Sequence, residues 1–311
     1  MAGAFTTNVG KMQNYGMELS LSSDNIRSTN SFSWSTDLNL FFNKNKLTQL
    51  SGNIDRNVGN QLFVGYSMTS IYDYQKLGIW QKNEAAQAAV YGAVPGQIKL
   101  ADVSGSASDG KPDGKIDDND RMIIGNSDAK LQGGLTNRFS YKNWDFSVVA
   151  YARFGGTLIS QIHQPLASYL TIQDGKRNGI KVDYWTPNNP TNWFPMPSAS
   201  MSPQSTAWTT LGYYDATFVK IRSINLGYTF NTSQLRILKA QSIRLYATID
   251  NVGYLYSPFK RQTGIDPEGT NTGNAGVSNP GNIRGGTNAT ITISAATPPR
   301  RTFIFGANIN F

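Results

Sequence analysis

The sequence predicts an all-β protein, an antiparallel transmembrane β-barrel wall with long extracellular loops. Three observations support this fold class. Apolar and polar residues alternate over many short segments, and long and short connections between these segments follow one another along the chain. Charged residues make up only 15% of the 311 residues, against roughly 25% in an average soluble domain. Together they are typical of strands with one face toward lipid.

Alternating segments, which indicate strands with one apolar face, account for nearly all the regular structure. We count about eight clear strands, and the best defined are Tyr15–Leu21, Phe32–Leu40, Leu131–Tyr141, Trp144–Phe154, Val219–Phe230, Ile243–Ile249 and Phe303–Phe311. Within Val219–Phe230 the apolar positions change phase after Ile221. One extra residue near Arg222-Ser223 restores a single apolar face, which predicts a β-bulge. Helical runs are limited to Asn83–Tyr91 and a second near Leu166–Ile172.

The connections between these strands differ sharply in length. Tyr141-Lys142-Asn143-Trp144 predicts a tight hairpin, whereas residues 51–130, 161–217 and 257–299 are long and rich in Gly, Pro, Asn and Ser. Outer-membrane barrels show this asymmetry, with short periplasmic turns and long extracellular loops. A soluble β-sandwich that binds glycans also has alternating strands, and it is the alternative interpretation.

Composition excludes several chemistries. The chain has no Cys and a single His, so thiolate or multi-histidine metal sites and a cysteine nucleophile are absent. His163, beside Gln161 and Gln164, is interpreted as a solvated or structural polar residue of a loop. Carboxylates cluster in one hydrophilic turn rather than as a spaced pair, so no enzyme is predicted. Lys and Arg are scattered singly despite a net charge of +8, so no nucleic-acid partner is expected.

Short stretches along the chain occur in an order that is itself informative. They are Asn8–Lys11, Asn14–Glu18, Tyr72–Tyr74, Gly78–Trp80, Pro95-Gly96, Asp113–Arg121, Gly133–Leu135, Tyr184–Pro190, Phe218–Arg222, Leu226–Tyr228, Arg244–Ala247, Asp266–Glu268 and the terminal Phe311. In these stretches the chain resembles the C-terminal part of SusC/RagA-type TonB-dependent outer-membrane transporters of the Bacteroidetes.

The resemblance implies that residues 1–311 form a partial barrel domain without its plug, the C-terminal strands of a large plugged barrel of about 22 strands. Such proteins import oligosaccharides or peptides across the outer membrane of Gram-negative Bacteroidetes. A SusD-like surface lipoprotein caps them, and TonB acts through the N-terminal part. About eight strands would leave two open edges in lipid, so Met1 is interpreted as a truncated start.

The last strand carries an expectation from the same resemblance. Phe303, Phe305 and Phe311 alternate with smaller or polar residues up to the C-terminus. The resemblance implies that this terminal aromatic pattern is the signal that the barrel-assembly machinery recognises, and that the apolar strand face contacts outer-membrane lipid.

An acidic segment at residues 95–125 is similar to a calcium loop of EF-hand type. In that alignment the first, fifth, seventh, ninth and twelfth positions are Asp109, Asp113, Lys115 (through its backbone carbonyl), Asp117 and Asp120. Calcium is therefore the only candidate cofactor, since it needs six to eight convergent oxygens. Lys111 at the third position departs from the pattern. The alternative is an acidic turn whose Asp side chains bond nearby backbone N–H groups.

A Pro-rich aromatic loop is the candidate ligand-binding segment. Tyr184, Trp185, Asn188 and Trp193 combine ring faces with an amide that would suit stacking on a sugar and hydrogen bonding to it. The alternative is that these rings pack the loop against the barrel mouth. We favour packing, because long ordered loops need their own apolar contacts.

Overall fold

The computed structural model describes residues 10–28, 31–104, 111–164, 183–197, 209–230, 240–268, 291–293 and 299–311. The strands in chain order are β1 (Lys11–Ile26), β2 (Phe32–Gln49), β3 (Arg56–Asn57), β4 (Leu62–Phe63), β5 (Ser70–Asp73), β6 (Lys76–Ile79), β7 (Ile98–Leu100), β8 (Met122–Asn126), β9 (Leu131–Tyr141), β10 (Trp144–Phe154), β11 (Thr157–Ser160), β12 (Tyr213–Asp215), β13 (Phe218–Phe230), β14 (Ser242–Tyr256), β15 (Ile291–Ile293) and β16 (Thr302–Asn310). Among the described residues, two short helices, α1 (Ala85–Val90) and α2 (Pro258–Thr263), lie between strands.

The seven long strands form one sheet in the order β1-β2-β9-β10-β13-β14-β16, with every neighbouring pair antiparallel. The predicted all-β antiparallel class is therefore confirmed, and each of the seven best-defined segments becomes one of these strands. Within the described residues the sheet is open, because β1 and β16 each have a neighbour on one side only.

The connections alternate in length as predicted. Strands β1–β2, β9–β10 and β13–β14 are joined by short segments at one end of the sheet, and the three long segments lie at the other end. The predicted hairpin after Tyr141 turns in two residues, where Lys142 has a φ of +52°. The described parts of the long loops consequently lie at one end of the sheet.

The sheet has two chemically distinct faces. In register, Leu19 lies opposite Leu40 and Ala247 opposite Phe305, and these positions define the apolar face. The alternate positions, which point the other way, define the polar face, and they include Ser20, Asn39, Asp37, Arg138, Asp145, Asn225, Arg244 and Thr248. The apolar face is uncovered among the described residues, and Leu19 is 52% and Phe305 78% exposed.

The predicted β-bulge is confirmed. On one side of β13, Val149 pairs with Ser223 and Ala150 with Ile221, so Arg222 is passed over. The register also shifts on the other side, where Ser223 pairs with Asp250 and Ile221 with Gly253, so that two residues of β14 lie opposite Arg222. The extra residue keeps Ile221 and Ile224 on one face while adding a polar side chain to the other.

The buried core lies beside the sheet, in the long-loop unit, which we define as β3–β8, β11, β12, β15, α1, α2 and the described segments that join them. Its main cluster consists of Tyr74, Ile79, Ile98, Leu100, Trp185, Phe194 and Leu211. Helix α1 lies within the predicted Asn83–Tyr91, while the predicted helix at Leu166–Ile172 falls outside the described residues. No described helix is long and apolar enough to cross a membrane.

Helix α2 was not predicted from the sequence. Ser257 caps its first turn by accepting a hydrogen bond from the Lys260 N–H, and Pro258 occupies the first helical position. Both are ordinary helix-start signals. Six residues are too few to show helical periodicity, so this helix could have been recognised only from its cap.

Candidate functional site

The aromatic loop at residues 183–197 is held together by its own backbone bonds. Thr186 and Asn189 exchange two N–H···O bonds of 3.0 Å across Pro187-Asn188, which closes a tight turn. The Trp185 N–H donates to the Phe194 carbonyl at 2.9 Å. The Asn and Pro residues of this segment therefore form a turn that presents Asn188 at its tip.

The loop docks on the β6–β7 hairpin through two close approaches. Gly96 has a φ of +93°, and a Cβ built there would lie 2.6 Å from the Trp185 ring. A Cβ at Gly78 would lie 2.6 Å from the Asn192 side chain, whose Oδ1 accepts from the Ile79 N–H at 2.6 Å. Both contacts need a residue without a side chain.

The four candidate ligand residues divide into two groups. Trp185 is only 4% exposed, and its indole N–H donates to Gln81 Oε1 at 2.9 Å, so it packs the loop rather than presenting a ring. Trp193 is half-buried against the same core, while Tyr184 and Asn188 are exposed. The geometry favours the packing alternative for Trp185. Ligand binding by the remaining three residues stays a prediction.

The acidic segment forms a turn in which carboxylates accept backbone hydrogen bonds. Asp102 accepts from the Gly114 N–H at 2.9 Å, and Gly114 makes the sharp turn with a φ of +83°. Asp117 accepts from Asn119, and the Asp120 carboxylate accepts from the N–H groups of Val103 and Asp117, both at 2.8 Å. Asp120 is fully buried, and burial raises the pKa of its carboxyl above the ordinary value.

The described part of the predicted calcium loop has the geometry of an acidic turn. Within the described residues no group of three or more His, Asp or Glu side chains is arranged to hold a metal ion. Asp109, the first predicted ligand, lies outside those residues. Asp113 bonds the Lys115 N–H at 2.9 Å, which is the local capping expected of an acidic turn. Calcium binding therefore stays a prediction.

His163 is a buried structural residue, which decides between the two roles predicted for it. It is 4% exposed, and its Nδ1 shares a hydrogen bond of 2.6 Å with Ser160 Oγ. The rings of Phe194, Tyr214 and Phe259 surround it at 5.1 to 6.3 Å between centroids. Burial lowers the pKa of the imidazole from 6.5 to about 4, so it is neutral at physiological pH.

The polar face carries ion pairs that the sequence did not predict. Arg244 of β14 bonds Asp145 of β10 through Nε at 2.9 Å and Nη2 at 2.5 Å, passing over the intervening strand β13. Gly227 makes the crossing possible, because a Cβ there would lie 2.4 Å from both side chains. Arg138 and Asp37 form a second pair between β9 and β2.

The bulge on β13 positions a third charged group, the Glu268 clamp, which we define as Lys220, Arg222, Tyr254 and Glu268. The Glu268 carboxylate accepts from Lys220 Nζ at 2.6 Å, from Arg222 Nη2 at 2.5 Å and from the Tyr254 hydroxyl at 3.1 Å. Lys220 is only 1% exposed. The clamp ties the segment after α2 to the polar face. Lys220 and Arg222 belong to the stretch Phe218–Arg222 and Glu268 to the stretch Asp266–Glu268, but neither stretch indicates that the two are in contact.

The terminal aromatic residues lie where the alternation predicts. Phe303 pairs with Ile249 and Phe305 with Ala247, so both are on the apolar face. Phe311 follows the last strand and is 82% exposed. Their role as an assembly signal stays a prediction.

Comparison with known proteins identifies relatives over nearly the whole chain. TonB-dependent receptor P26 of Formosa agariphila is 30% identical over 98% of this chain, and TonB-dependent receptor SusC of Bacteroides thetaiotaomicron is 27% identical over 85%. The chain spans 30% and 25% of the length of these two curated relatives. No family model matches.

Solved structures give the same answer for the fold. The structure of the RagAB peptide transporter superposes on 98% of this chain with a TM-score of 0.71 at 17% identity. The match covers 30% of the transporter chain. The RagAB peptide importer in its open-open state gives a TM-score of 0.67. The resemblance is confirmed, and over nearly its whole length the chain is similar to part of TonB-dependent receptors such as P26 and SusC.

Proposed function

We propose that this chain forms part of the barrel wall and the outer loops of a TonB-dependent outer-membrane importer. The observation that carries the proposal is the two-faced meander, with an uncovered apolar face and all its long loops at one end. This is the arrangement of an outer-membrane barrel, whose strands alternate between lipid and lumen.

The soluble β-sandwich is less consistent with the sheet. A sandwich buries one face of each sheet against the other, yet Met17, Leu19 and Leu21 of β1 are 52–65% exposed in the described structure. Lipid is the cover that we propose for this apolar face. The polar face, with its ion pairs, suits a water-filled lumen.

The printed names of the relatives, TonB-dependent receptor SusC and RagAB peptide transporter, support an importer that depends on TonB and takes peptides. The family resemblance of the sequence adds oligosaccharides as the other substrate class and a SusD-like lipoprotein as the partner. Tyr184, Asn188 and Trp193 lie in the long-loop unit on the side where a substrate would arrive. The relatives are named as receptors and transporters, and Asp37, Asp145 and Glu268 on the polar face are engaged in ion pairs. We therefore propose no catalytic role.

The decisive experiment uses the full-length receptor that contains this chain, carrying an epitope tag, in its own cells. Uptake of a labelled peptide mixture and of labelled oligosaccharides would be compared among wild-type, receptor-deleted and TonB-deficient cells. We expect one substrate class to lose uptake in both mutants, and the tagged receptor to co-purify a surface lipoprotein from detergent extracts of the outer membrane. A receptor that is monodisperse without detergent and absent from membranes would overturn the proposal.

A further inference from the structure

A basic pocket opens where the apolar face of the sheet meets the long-loop unit. It has a volume of 1010 Å³, and its lining includes Tyr15, Lys44, Lys46, Tyr66 and Lys130. We refer to these five residues as the basic rim. None of the sites described above uses them.

The register places the basic rim on the continuation of the apolar face. Tyr15 lies opposite Lys44, one step beyond the Met17–Phe42 pair of the same face, and Lys46 follows two residues later. The loop carrying Tyr66 lies beside β2 here, because the Leu47 N–H donates to the Tyr66 carbonyl at 2.9 Å. In a barrel this is the boundary between the outer lipid leaflet and the loops.

The three lysines of the rim carry charge that the described residues do not neutralise. Lys44, Lys46 and Lys130 are exposed, and none is in an ion pair within the described part of the chain.

The two acidic residues that line the pocket are engaged elsewhere. Asp128 accepts hydrogen bonds from Asn45, Ser67 and Thr69 at 2.6 to 3.0 Å. Asp215 caps Thr217 through both its N–H and its hydroxyl. Both carboxylates keep their charge, but among the described residues neither is paired with a lysine of the rim, so the pocket has three unpaired ammonium groups against two carboxylates, with tyrosine rings beside an apolar surface.

We propose that the basic rim binds the phosphorylated headgroup of an anionic membrane lipid whose acyl chains lie along the apolar face of β1 and β2. Lysine ammonium groups bind phosphate as point charges, and each basic residue near a membrane surface contributes about 1 kcal/mol toward an anionic lipid. The neighbouring Met17, Leu19 and Phe42 distinguish a lipid from free phosphate, which has nothing to place on an apolar surface. The proposal rests on the proposed contact of this face with lipid.

The test is native mass spectrometry of the full-length receptor in detergent, titrated with dioleoyl phosphatidic acid. The K44Q/K46Q/K130Q variant should bind this lipid at least about tenfold more weakly. The K82Q/K142Q/R300Q variant removes the same charge from exposed basic residues elsewhere, and it should stay within about twofold of wild type. Dioleoylglycerol, which lacks the phosphate, should bind both variants and the wild type equally.

Three results would overturn the lipid site. These are equal binding of phosphatidic acid to the rim variant and the wild type, an equal loss in the control variant, and full displacement of the lipid by equimolar inorganic phosphate. If the rim variant fails to assemble, raising NaCl from about 0.05 to 0.5 M should weaken lipid binding to the wild type about tenfold, and no salt effect would refute the site. A receptor absent from membranes would instead refute the proposed function.

Discussion

Gly96 determines whether the aromatic loop can dock. It has a φ of +93°, and a Cβ built on it would lie 2.6 Å from the Trp185 ring. In the sequence, Pro95-Gly96 is one of the short stretches that carry the family resemblance, but the ring that packs on Gly96 comes from a segment far along the chain. Such a contact has no local signal in the sequence, so the sequence alone could favour a packing role for Trp185 but could not identify its partner.

Replacing Gly96 by Ala should destabilise the long-loop unit by two separate effects. The left-handed backbone costs an alanine about 1–2 kcal/mol, and overpacking against Trp185 adds about 1–3 kcal/mol. Gly65→Ala is the matched control, since Gly65 has a φ of +90° with nothing within 4 Å of its Cβ. Urea unfolding followed by tryptophan fluorescence should show the larger loss for Gly96→Ala. Equal losses would mean that the Trp185 contact contributes nothing.

His163 should make the stability of the long-loop unit depend on pH. Its pKa is lowered to about 4 in the fold from 6.5 in the unfolded chain, so the unfolded state binds the proton more readily. Stability is then complete above about pH 6.5 and falls as the pH drops toward 4, by about 3 kcal/mol in total. The measurement is the unfolding midpoint of wild type and His163→Asn between pH 7.5 and 4.5.

The asparagine variant should lose this part of the pH dependence, because it has no imidazole to protonate. The part that comes from other acidic groups should remain in both proteins. His163 is the one histidine of the sequence, so its ring resonance in an NMR spectrum reports the pKa without assignment. A resonance that titrates near pH 6.5 in the folded protein would contradict the buried, neutral imidazole.

At the scale of elements, the bulge on β13 could be predicted from the sequence, but the contact that it makes possible could not. The phase change between Ile221 and Ile224 is a local pattern, so sequence alone located the extra residue. The bulge adds Arg222 to the polar face, where it meets Glu268 from the segment after α2. That meeting depends on the whole sheet, and a charged residue in a Gly-rich, Pro-rich loop gives no sign of its partner.

The Glu268 clamp should be worth far more than an exposed ion pair. Glu268→Gln leaves the Lys220 ammonium, whose side chain is 2% exposed, buried without its carboxylate, at a cost of about 3–5 kcal/mol. Asp24→Asn, which breaks the exposed pair with Arg27, should cost less than about 1 kcal/mol. Both are measured by urea unfolding in detergent.

A second variant separates the clamp from a general effect of Glu268. Lys220→Met combined with Glu268→Gln removes the stranded charge and should regain part of the lost stability. If the double variant loses as much stability as Lys220→Met and Glu268→Gln lose in sum, the two side chains are not coupled and the Glu268 clamp is refuted.

For the whole molecule, alternation and connection length predicted the sheet, whereas the long-loop unit could not be predicted. Strands of a meander pair with their neighbours in the chain, so local periodicity and short turns suffice to order them. The core around Ile79, Ile98 and Phe194 joins two short strands of four and three residues, β6 and β7, to a loop that lies more than 90 residues further along the chain. Elements of that length carry too little periodicity to be recognised.

The orientation of the sheet in the membrane leads to a prediction on two adjacent residues. Leu19 is on the apolar face and Ser20 on the polar face of β1. A lysine facing lipid near the middle of the bilayer costs about 2–4 kcal/mol, while a lysine facing the lumen costs little. Leu19→Lys should therefore reduce the heat-modifiable, assembled receptor in outer membranes, and Ser20→Lys should leave it close to wild type. Because Leu19 is already half exposed, a soluble protein would tolerate both changes, so equal assembly of the two variants would reject the lipid-facing sheet.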